Sequence, residues 1–75
     1  MLNLTKGIKN RNYKVEAINI KNKSMLYRLS AFGLTIGSTI KIKQKCLLNG
    51  PSVVEINGQY LSIRQRDAHL IVLEE

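Results

Sequence analysis

The stretch Arg28-Leu29-Ser30-Ala31-Phe32-Gly33-Leu34-Thr35-Ile36-Gly37 decides the architecture of this chain. Met25, Leu29 and Phe32 recur at i, i+4 and i+7, and Leu26 widens the stripe, which is the spacing of a helix with one apolar face. Asn22 or Ser24 can start that helix by accepting a free backbone N–H. Gly33 stands where a left-handed cap residue would stop it. A helix of about two turns does not persist alone, so packing against a sheet must hold it. Gly37 then marks a tight turn into a strand.

Downstream, Ser38 to Cys46 has the period of a half-buried strand, with Ile40 and Ile42 alternating with Lys41, Lys43 and Lys45. Leu47 to Pro51 reads as a loop. Val53 to Ile56 and Gln59 to Ile63 flank Asn57-Gly58, a strong hairpin signal because both central residues of a type I′ turn need positive φ. That register sets Val54 opposite Leu61 and Glu55 opposite Tyr60. Arg64 to Ala68 has room for one 3₁₀ turn, and Leu70 to Leu73 reads as a closing strand. Upstream, Tyr13 to Ile20 reads as the first strand. Tyr13, Val15 and Ala17 share one parity and Ile18 and Ile20 the other, so a bulge or bend is expected inside it. Leu2 and Leu4 lead in and tuck under the barrel. The expectation is a mainly β fold, a small SH3-like partly open barrel of about five strands with one short α-helix, forming a single domain over 1–75.

Seventy-five residues hide only about 60% of the unfolded chain's surface, which leaves little interior for a substrate cavity. The composition, 44% hydrophobic and 23% charged, is that of a folded domain. A lone cysteine, Cys46, cannot form an internal disulfide, so a reducing cytoplasmic setting is expected. No apolar stretch reaches the ~20 residues that span a bilayer, and Met1 to Lys6 lacks a signal-peptide core. Any membrane association is therefore expected through a partner. The net charge of +7 speeds encounter with anionic partners without choosing among them.

Few residues suggest chemistry. Asp67-Ala68-His69 sets a carboxylate near the single imidazole, but a metal site needs three or four ligands, so a solvated turn is the expected reading. Cys46 continues the parity of Ile40 and Ile42 and is expected to point inward as a small hydrophobe. Gly33, Gly37 and Gly58 lack the Lys-Ser/Thr ending of a phosphate-binding loop, so a conformational role suffices. No nucleophile–base pair stands out, and neither catalysis nor a cofactor is expected. The row Lys41, Lys43, Lys45 is read first as a solvated, edge-protecting surface, then as steering charge for an acidic partner. Only Tyr13, Tyr27, Phe32 and Tyr60 are aromatic, a poor supply for stacking nucleic-acid bases.

In ordered pattern the chain resembles the FeoA family, small cytosolic accessory proteins of bacterial ferrous iron uptake. The resemblance runs from Leu4-Thr5-Lys6-Gly7 through Arg28-Leu29 and Gly33-Leu34-Thr35-Ile36-Gly37. It continues through Gly50-Pro51, Val53 to Ile56, Gly58, Leu61, Arg64, Ala68 and Ile71-Val72. Where that family often has Pro before the second glycine, this chain has Ile36. A similar barrel forms the C-terminal domain of iron-dependent repressors of the diphtheria-toxin-repressor type, whose other domains this length does not accommodate. The resemblance implies docking on the cytosolic side of a FeoB-type transporter, a membrane protein with its own GTPase domain, and modulation of iron uptake.

Two functions therefore compete: such an adaptor, and a basic barrel that binds RNA or DNA. The ordered glycine and hairpin pattern favours the first, and nucleic acid is not the expected partner. The expected docking face is the helix and its flanking turn, Tyr27, Arg28, Ala31, Leu34 and Thr35, with Lys41, Lys43 and Lys45 steering the encounter. No metal or catalytic residue is assigned.

Overall fold

The computed structural model describes residues 1–45 and 48–75. The expected inward orientation of Cys46 lies outside the described residues, as does the first position of the expected 47–51 loop. Six short strands are described: β1 (Leu2–Asn3), β2 (Asn12–Ile18), β3 (Thr39–Gln44), β4 (Ser52–Ile56), β5 (Gln59–Ile63) and β6 (Ile71–Leu73). Helix α1 (Lys23–Ala31) lies between β2 and β3, and a single helical turn, α2 (Gln65–Ala68), lies between β5 and β6. The strands form one antiparallel sheet in the order β1-β6-β2-β3-β4-β5. This is the expected small SH3-like barrel with one main helix.

The parity change in β2 is where the sheet turns a corner. Asn12 to Lys14 pair with β3, whereas Val15, Ala17 and Ile18 pair with β6, and the register shifts between Val15 and Ala17. One strand thus serves both halves of the barrel, which a flat two-sided strand cannot do.

Helix α1 begins where Asn22 Oδ1 accepts the Met25 N–H at 3.0 Å. It ends in a Schellman motif: the Leu34 N–H donates to the Leu29 carbonyl at 2.9 Å and the Gly33 N–H to the Ser30 carbonyl at 2.9 Å. That geometry requires the φ of +91° held by Gly33. The helix drives Leu29 into the core, with Met25, Leu26 and Phe32 packed half-buried around it. Four residues later Ser38 N–H donates to the Thr35 carbonyl at 3.1 Å, closing a turn with Gly37 at φ +92° in its third position. Pro would suit the position before that glycine. Here Ile36 occupies it with its side chain exposed, and Ser38 clamps the turn instead. Its hydroxyl donates to the Thr35 carbonyl at 2.7 Å and accepts the Thr35 N–H at 3.2 Å.

The β4–β5 hairpin has the expected register, Val54 opposite Leu61 and Glu55 opposite Tyr60, around Asn57 (φ +51°) and Gly58 (φ +77°). Val54, Ile56, Leu61 and Ile63 bury the inner face against Leu4, Val15, Ile40, Ile42 and Ile71. Each such side chain contributes roughly 1.5–3 kcal/mol of burial free energy.

The expected lead-in adds a short strand to the sheet, Leu2–Asn3 pairing with Leu73 and Val72, and Leu4 is fully buried as expected. Two expectations need correction. Arg64 to Ala68 forms an α-type rather than a 3₁₀ turn, with the Ala68 N–H donating to the Arg64 carbonyl at 2.8 Å. Finally, β3 lies between β2 and β4, so its lysines do not protect an edge.

Candidate docking surfaces

The outer face of α1 is set by helical spacing. Tyr27 and Ala31 are i, i+4 neighbours, Arg28 and Ala31 are i, i+3 neighbours, and all three are exposed, Tyr27 by 79%. Thr35 is also exposed, at the turn that follows. Leu34 is different. At 1% exposure it belongs to the core, because the Schellman motif folds the residue after Gly33 back toward Leu29. It offers no side chain to a partner, which corrects its placement on the docking face.

The lysines do not make a uniform row. Lys41 stands directly opposite Glu55, whose other cross-strand neighbour is Tyr60, so an opposite charge faces it across the strands. Lys43 falls within a register shift between Ile42 and Gln44, and Lys45 lies beyond the end of β3. All three are half-buried. Such side chains lie along the sheet while their ammonium groups reach water.

Asp67 and His69 separate. His69 is exposed, as a solvated turn predicts, but Asp67 is 92% removed from solvent at 8% exposure, which the solvated reading misses. Asp67 sits in a cleft of about 300 Å³ between the start of α1 and α2, together with Arg28, Arg64 and Arg66. Arg64 and Arg66 also line an adjoining, shallower groove of about 550 Å³ with Asn49, Pro51, Ser62 and Gln65. No local motif announces this cluster. Arg64 and Arg66 are close in sequence, but only the tertiary fold brings Arg28 to the same cleft. Among the described residues no three His, Cys, Asp or Glu side chains come together as a metal site would require. Among them, too, no helix is long and apolar enough to cross a membrane.

A six-stranded SH3-like barrel with one short helix and cationic outer surfaces defines a class of small β-barrel modules. The family model of the FeoA domain matches residues 3–75, and the chain belongs to the FeoA family. The FeoA protein from Chlorobium tepidum superposes with a TM-score of 0.86 at 23% identity, over 97% of this chain and 69% of that one. An FeoA-like protein from Clostridium acetobutylicum superposes with a TM-score of 0.76 at 25% identity, over 97% and 84%. The manganese-activated repressor ScaR contains a similar barrel, with a TM-score of 0.80 at 24% identity over 99% of this chain but 35% of the repressor. No curated protein matches the chain at comparable stringency.

Proposed function

We propose that the chain is a non-enzymatic accessory protein of bacterial ferrous iron uptake that docks on the cytosolic region of a FeoB-type transporter and modulates transport. The FeoA-domain match across residues 3–75 carries this reading. On this reading the chain works in the cytoplasm and meets the membrane only through its partner. The exposed Tyr27 on a helix whose other face is fixed by the core supports a rigid aromatic anchor, the kind of residue that dominates interface affinity. The charge of +7 supports electrostatic steering toward an acidic face.

Titration calorimetry of the purified chain against the isolated cytosolic region of a FeoB-type transporter tests the reading. Tyr27→Ala is expected to weaken the complex by about tenfold or more, as loss of an anchor does. Lys43→Ala is expected to weaken it less and mainly to flatten the salt dependence of association. A strain lacking the gene should lose or alter ferrous iron uptake. Absence of both binding and an uptake defect, with the protein folded, would remove the transporter reading.

A further inference from the structure

Arg28, Arg64 and Arg66 line a single cleft, all three exposed, and among the described residues none makes an ion pair. Asp67, nine-tenths buried, faces the same cleft without an ion pair or side-chain hydrogen bond to them. Arg64 and Arg66 carry the cationic lining onward into the neighbouring groove beside Pro51 and Ser62. The two grooves share Arg64 and Arg66 and make one track with three arginines along it and, within it, the Asp67 carboxylate, whose oxygens stay open to solvent although the residue is mostly buried.

We propose that this track docks an acidic, extended peptide segment of a partner protein. Charge complementarity names the occupant. Guanidinium groups pair with carboxylates through two parallel N–H donors, and three of them along a track match side chains spaced along an extended chain. Asp67 decides between a peptide and a nucleic acid. An ionised carboxylate is acceptor-only, so it is satisfied by a group that brings a donor. An extended peptide carries a backbone N–H at nearly every residue and supplies that donor while its side chains meet the arginines. A phosphodiester group brings only acceptors, so nothing offsets its repulsion from the carboxylate. The residues lining both grooves also include no aromatic ring on which bases would stack. The proposal does not depend on which protein carries the segment, so it stands apart from the transporter reading.

Fluorescence polarisation with the full chain provides the test. The probes are a labelled peptide alternating Glu with Ser, its Glu→Gln counterpart, and a single-stranded oligonucleotide of equal charge. The acidic peptide is expected to bind and the Gln peptide not to. Arg64→Gln with Arg66→Gln should weaken binding at least about tenfold, because the paired contacts are lost. Lys41→Gln with Lys43→Gln removes the same charge elsewhere and should cost less than about threefold, the share of a general field. Asp67→Asn should tighten the oligonucleotide more than the peptide, because only the oligonucleotide lacks a donor to offset the lost carboxylate's repulsion. The arginine and lysine variants alter exposed or half-buried side chains, so they decide the matter even if Asp67→Asn does not fold. Equal losses in the two double variants would overturn the proposal, as would an oligonucleotide that binds more tightly than the peptide, or no binding of the acidic peptide. Because the peptides are used alone, these outcomes are independent of any result with the transporter.

Discussion

Replacing Gly33 by Val tests whether the end of α1 holds the fold together. The backbone there has φ +91°, a region that a β-branched residue tolerates poorly. Holding a non-glycine residue in such a conformation costs about 1–3 kcal/mol. A domain of this length has a total stability of roughly 4–11 kcal/mol at typical values per residue, so the loss is a large share of it. At about 4–8 °C per kcal/mol for a domain this small, a cost near 2 kcal/mol lowers Tm by about 8–16 °C. Sterics add a second term. A Cβ on Gly33 would run into the Asn57 side-chain amide, the movable end of a flexible side chain, so this term should be small. Gly37 separates the two terms, because it has nearly the same φ, +92°, with nothing within 4 Å of an added Cβ. Urea unfolding of Gly33→Ala and Gly37→Ala should therefore give similar losses of about 1–2 kcal/mol, with Gly33→Val larger than either. An unchanged midpoint for Gly33→Val would refute the reasoning. So would a costless Gly37→Ala beside a costly Gly33→Ala, which would make the Asn57 contact and not the backbone the source.

Asn22→Ala removes the acceptor for the Met25 N–H and should cost about 1 kcal/mol, read as a lower urea midpoint with unchanged slope. Leu34→Ala empties a core site at 1% exposure and should cost about 2–5 kcal/mol, so weaker partner binding by that variant would track unfolding in a melt. Elemental analysis after mild chelation should find far less than one iron or zinc per chain. A stoichiometric metal lost on His69→Ala or Cys46→Ser would reverse that assignment.

Local chemistry made much of the fold legible in the sequence. The apolar stripe of α1, the Asn22 cap, Gly33 and the Asn57-Gly58 turn each depend on neighbours a few residues away, and all are present in the structure. The parity change in β2 was equally local, and it marks the corner of the barrel. What tertiary structure alone decided are the features that depend on a distant partner. Leu2–Asn3 is too short to show a period and is a strand only because β6 lies beside it. Lys41 alternates like any exposed strand residue, yet pairing on both sides of β3 makes it an interior-strand neighbour of Glu55. Leu34 reads as surface in a turn, yet it is buried in a core built with residues of distant strands. Asp67 shares a cleft with Arg28 because the fold sets α1 and α2 on the two sides of it, across a long chain separation. Propensity and capping are properties of short segments and can be read along the chain. Burial and charge clustering are properties of the closed barrel, which exists only when segments far apart in sequence have met.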